Sequence, residues 1–118
     1  MNNYVYDGSF EGFLTAIYDS YYRHETPDNI IHKKECSQIC IFEQNYSVFT
    51  DIEKFTKVYA SIKEKISIQA LKNIYYVFIS DSYGKEKIIY NYLKLGWKIG
   101  RDIDRLITDD NVLKVKII

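Results

Sequence analysis

Apolar residues recur along much of this chain at helical spacing. Phe10, Phe13, Leu14, Ile17 and Tyr21 stand three and four residues apart, one stripe of a helix over 10–23. Ile52, Phe55, Val58, Tyr59, Ile62 and Ile66 continue the pattern and predict a helix over 51–65. Ile68, Leu71, Ile74, Tyr75 and Phe78 predict another over 68–80, with those residues as its buried side. Over 85–106, Ile88, Ile89, Tyr92, Leu95, Ile99, Ile103 and Leu106 gather on one side. Short runs at 3–6, 39–42 and 46–49 are rich in strand formers, with Glu43-Gln44-Asn45 turning between the last two. The expected fold is α+β and mainly helical: about four helices with a small antiparallel sheet near the N-terminus. Residues 25–36 read as a polar connection.

Capping residues sharpen these boundaries. Asp7-Gly8 is a turn signal and Ser9 an N-cap, so the chain opens as strand, sharp turn and helix. Pro27 keeps Thr26 out of helical geometry and ends the first helix near His24. Thr50-Asp51-Ile52-Glu53 is a capping box, with Thr50 as the cap. Ser67 caps the next helix, and Ile66 and Leu71 hold the staple positions. Gly96 and Gly100 fall on the apolar side of the last helix. Either a neighbour packs close to the backbone there, or the helix ends at Gly96 and restarts near Gly100. The tail after Thr108 reads as a short helix or, from the alternation Leu113 to Ile117, as a strand.

A chain of 118 residues suits a single domain, and 47% hydrophobic with 27% charged residues is globular usage. No apolar run is long enough to span a bilayer and no signal peptide opens the chain, so the expected location is cytoplasmic. Formal net charge is zero, yet the ends differ. Residues 1–30 hold five acids against Arg23; residues 85–105 hold six bases against three acids.

The candidate chemistry follows from that distribution. On a continuous helix Lys87, Lys94, Lys98, Arg101 and Arg105 form one basic stripe, with Tyr90 and Trp97 along its border. Spaced cations can follow a phosphate backbone while a flanking ring stacks on an unpaired base. The competing reading is a solvated face with Trp97 tucked into a neighbour. Asp7 and Glu11 are the carboxylates best placed for acid–base work, though acids in a first turn also complement the helix dipole. His24 and His32 stand isolated. Cys36 and Cys40 lack zinc-ribbon spacing and read as free thiols, although with His32 they would share a face if helical. No metal and no cofactor is expected. Phosphate-binding loop, dinucleotide and deaminase signatures are missing from the sequence.

Tyr6-Asp7-Gly8-Ser9-Phe10-Glu11-Gly12-Phe13-Leu14, then Tyr21-Tyr22-Arg23 and Pro27, resembles the opening of a family of DNA metabolism proteins whose domain has no assigned function. The likeness continues through Thr50-Asp51, Ile74-Tyr75, Phe78, Ser80 and Gly84 to Ile89-Tyr90-Asn91-Tyr92 and Leu95-Gly96-Trp97-Lys98-Ile99-Gly100, and ends at Asp109, Val112-Leu113 and Val115. Family members run further, so the resemblance is to the N-terminal portion of a longer domain. It implies a radical-SAM protein as partner in DNA modification or repair. With two cysteines this chain is not itself that enzyme. The expected function is a nucleic-acid-binding accessory module. The alternatives are part of a catalytic, glycosylase-like domain acting on DNA and completed by further sequence, or a protein-interaction domain. Leu113, Val115, Ile117 and Ile118 are expected to lie partly exposed or against a neighbour.

Overall fold

The computed structural model describes residues 2–36, 44–105 and 115. The chain divides into two units, Met1–Val58 and Tyr59–Ile118.

The first unit holds β1 (Asn2–Tyr6), α1 (Phe10–Tyr22), β2 (Asn29–His32), β3 (Gln44–Ser47) and most of α2 (Ile52–Ser61). The sheet has the order β2-β1-β3, and both neighbours of β1 run parallel to it. The expected antiparallel sheet is therefore corrected. The connection from β1 to β2 contains α1, which returns the chain to the starting edge; parallel strands need such a crossover. β2 lies in the stretch read as a polar connection, because only Ile30 and Ile31 advertise it. Of the expected hairpin, 39–42 lies outside the described residues, and β3 pairs parallel with β1.

One side-chain ladder matches this register. Asn29, Asn3 and Asn45 are aligned across the three strands. Asn29 Nδ2 donates to Asn3 Oδ1 at 3.1 Å, and Asn3 Nδ2 donates to Asn45 Oδ1 at 3.2 Å. Asn3 is fully buried, and a buried amide needs such partners. A slip by one residue would break both bonds. Tyr4, Ile30 and Tyr46 follow in the next register position, with the two tyrosine rings 4.8 Å apart. Phe13, Leu14 and Ile17 of α1 are buried, as their spacing requires, and Ala16 is buried as well. Tyr21, expected on the same stripe, is 44% exposed.

α1 ends in a Schellman-type turn. His24 adopts φ 54°, its N–H donates to Tyr21 O, and Glu25 N–H donates to Ser20 O. The helix thus stops before Pro27 exerts any restriction. α2 is capped one residue later than expected: Lys54 N–H donates to Asp51 Oδ1 at 3.1 Å, whereas Thr50 Oγ1 is turned to Asp7.

The second unit contains the end of α2, a widened turn over Ile62–Ile66, α3 (Ile68–Ile79), α4 (Lys85–Ile99) and a 3-10 segment over Gly100–Arg105. The widened turn places Ser67 N–H on Ile62 O, five residues back. Ser67 then caps α3 by accepting from Ala70 N at 2.9 Å, and Ile66 and Leu71 are both buried. The α-helix expected over 85–106 stops at Ile99, because Gly100 takes φ 83°. It runs straight through Gly96. A Cβ there would meet Ile66 Cδ1 at 2.7 Å and Ile103 Cδ1 at 3.1 Å, so the close approach is real.

The buried side of α4 is rotated from the expected one. Tyr90 and Leu93 are buried together with Ile89 and Tyr92, while Leu95 is half-buried and Ile99 is 36% exposed. Val115 is buried; Leu113, Ile117 and Ile118 lie outside the described residues.

Candidate nucleic-acid interface

Gly84, with φ 71°, leads into α4, whose first turn closes with Ile88 N–H on Gly84 O. Tyr92, Leu93 and Gly96 fix the inward face, so Lys94 and Lys98, one turn apart, are left exposed. Lys87 is half-buried, its Nζ 5.1 Å from the centre of the Tyr90 ring. Tyr90 itself is only 3% exposed and faces the core, not the border of the basic stripe. Trp97 is half-buried, its Nε1 donating to Ser61 Oγ at 3.0 Å.

Gly100 then redirects the backbone. Arg101 is exposed beyond the break, and Arg105 closes the 3-10 segment with its side chain outside the described residues. The stripe is therefore not one continuous helix face. Two cations missed in the sequence adjoin it. The Cβ position of Gly100 is 3.6 Å from Lys65 O, and Trp97 is tied to Ser61, so the widened turn after α2 runs beside the end of α4. Lys63 and Lys65 on that turn are exposed, with Glu64 between them and Asp102 beside Arg101. The signal for them was the alternation Ile62-Lys63-Glu64-Lys65-Ile66, whose two isoleucines are buried and whose charges are not.

The Asp7 turn is built for a different purpose. Asp7 Oδ1 accepts from Ser9 N at 2.9 Å and from Ser9 Oγ at 2.6 Å, and Oδ2 accepts from Thr50 Oγ1 at 2.9 Å. Ser9 Oγ in turn accepts from Gly12 N at 2.9 Å. The Ser9 hydroxyl, helped by Thr50, holds the Asp7 carboxyl below the usual range against a modest opposing effect of burial. A Cβ on Gly12 would stand 2.4 Å from Asp7 Oδ1, and one on Gly8 only 2.0 Å from His32 Nε2. Both glycines of the opening motif are thus set by close approach. Asp7 is an acceptor that joins the turn to the start of α2. Glu11 is a first-turn acid on α1.

The histidines are also structural in what they touch. His24 is the left-handed residue closing α1. His32 Nδ1 accepts from Lys34 N at 2.9 Å, and its ring covers Gly8. Cys36 is disulfide-bonded, not the free thiol expected. It follows a 3-10 turn over Lys33–Glu35, so the helix that would have aligned it with His32 is not formed. Cys40 lies outside the described residues. Among the described residues no group of three or more His, Cys, Asp and Glu is gathered as metal ligands. Among the same residues no helix is long and apolar enough to cross a membrane.

No family model, curated protein or solved structure matches this chain. The geometry above is what bears on its function.

Proposed function

We propose that this protein is a nucleic-acid-binding accessory module in DNA modification or repair, acting beside a radical-SAM partner. One observation carries the binding part: the Lys63–Lys65 turn lies against the end of α4, adding exposed cations to Lys94, Lys98 and Arg101. The second unit as a whole has eleven Lys and Arg against seven Asp and Glu. Neutralising phosphates releases counterions, so such a face binds a polyanion in a salt-dependent way. The partner and the DNA setting rest on the resemblance of the opening and closing motifs. Asp7, engaged by three donors, gives the catalytic alternative no support.

The test replaces Lys94, Lys98 and Arg101 with glutamate and measures affinity for single- and double-stranded DNA against salt. Phosphate contact predicts binding weaker by roughly tenfold or more, with a salt slope shallower by about one unit per lost contact. Unchanged affinity and slope in a folded variant would return this face to solvent. Adding Lys63→Glu and Lys65→Glu extends the loss if the two segments act together.

A further inference from the structure

α3 carries two apolar faces, and its unit buries one. Ala70, Leu71, Ile74, Val77 and Phe78 point inward. On the outer side Ile68 is 54% exposed, Tyr75 47%, Tyr76 67% and Ile79 58%. At the helical repeat these four and Lys72 lie within about 100° of arc. The outward face of a surface helix is ordinarily charged. Here Lys72 is the one charge on α3, and the polar flank is occupied by Gln69 Nε2 donating to Asn73 Oδ1 at 2.9 Å. A contiguous apolar face of this kind marks a contact with another macromolecule.

We propose that this face pairs with the same face of a second copy, α3 running antiparallel to α3 about a twofold axis. An axis midway between Asn73 and Ile74 sets Ile68 against Ile79 of the second copy and Lys72 against its Tyr75, while Tyr76 falls at the edge of the face, over the position of Leu71. The chain already seats ammonium groups over rings: Lys54 Nζ is 5.6 Å from the centre of Tyr18, Lys85 Nζ 4.9 Å from Phe78, and Lys87 Nζ 5.1 Å from Tyr90. The face itself carries a single charge per copy, Lys72, so charge repulsion at the contact is small. The four side chains offer on the order of 1,000 Å² for the pair, the size of a weak contact, so the dimer is expected to be reversible.

A nucleic-acid strand fits this face less well. Isoleucines have no π-face on which a base can stack, and a single lysine neutralises little phosphate. The dimer stands independently of the basic face of α4.

Sedimentation of the full chain from about 1 to 500 µM tests it. The expected result is a mass that doubles with concentration, and a dissociation constant raised roughly tenfold or more by Ile79→Glu or by Tyr76→Glu. Both side chains are exposed, so circular dichroism and melting of the dilute variants should match the parent. Lys63→Glu, outside the face, should leave the dimer unchanged. A chain that stays monomeric throughout overturns the proposal. So does a monomer in which Ile79→Glu weakens binding to a single-stranded oligonucleotide, because the face would then be a base-stacking surface.

Discussion

The units Met1–Val58 and Tyr59–Ile118 are similar in length and opposite in charge. The first has five Lys and Arg against nine Asp and Glu, the second eleven against seven. Their interiors differ as much. In the first, Asn3, Thr15, Asp19 and Ser20 are buried, each in a defined bond. Asp19 accepts from Lys54 Nζ at 2.9 Å and from Tyr46 Oη at 3.1 Å. Thr15 Oγ1 donates to Glu11 O and accepts from Asp51 N. In the second, the described interior is largely aliphatic and aromatic, with Glu86 its buried charge. Hydrogen bonds specify direction and distance, whereas apolar contacts specify mainly volume. The first unit should therefore be the less tolerant of small changes.

Matched glycine substitutions test this most severely. Gly8→Ala combines φ 93° with a Cβ overlapping the His32 ring, and should cost about 3 kcal/mol or more. Gly84→Ala in the second unit has φ 71° but open space, and should cost about 1 kcal/mol. Urea unfolding of the two variants gives the ratio. Equal losses would erase the contrast between the units.

Asp19→Asn should cost about 2 kcal/mol, since it removes a charge-assisted bond and unpairs Lys54 within a part-buried cluster. Lysine 54, whose pKa is raised chiefly by its bond to Asp19, should titrate lower in that variant, a change readable by NMR. An unaltered Lys54 titration would mean that the pair is not formed in solution.

Acid sensitivity should belong to the Asp7 turn. The carboxyl is held below its unfolded value of about 3.9, so the unfolded chain takes up the proton first. Its contribution is fully present above about pH 4 and fades as pH falls through the depressed folded value. Asp7→Asn should lower stability at pH 7 by about 1 kcal/mol and flatten the acid limb of the stability curve. Identical limbs in the parent and the variant would place the acid dependence elsewhere, Glu25 beside Arg23 being next in line.

Trp97→Phe should show the smallest effect, about 0.5–1 kcal/mol for the bond to Ser61. Its DNA affinity sharpens the site: an unchanged value would say that Trp97 holds the Lys63–Lys65 turn in place without touching a base.

Much of this protein was readable one turn at a time. Ser9 and Ser67 cap the helices they precede, and Phe13, Ile17, Ile74 and Ile89 are buried. These features depend on neighbours within four residues, and a local pattern determines them. The exposed positions of Lys94 and Lys98 were legible for the same reason, whereas Arg101 lies beyond the break at Gly100. Tyr90 was not: it is buried together with Ile89 and Leu93, on a side of α4 that the helical period alone did not select.

The direction of strand pairing was decided only by the tertiary structure. A strand's own residues do not say whether its partner arrives parallel or antiparallel. The successive pairs from Asn3–Asn29 to Tyr6–His32 and from Asn2–Gln44 to Val5–Ser47 show it to be parallel on both sides, and the Asn3–Asn29–Asn45 ladder holds the register across twenty-six and forty-two residues of sequence. The same holds for the faces of α3. Ile68 and Tyr75 carry the helical period as clearly as Leu71 and Ile74, yet burial went to the latter pair. Sequence determines that a helix has apolar sides; the number and position of its neighbours determine which of them is covered.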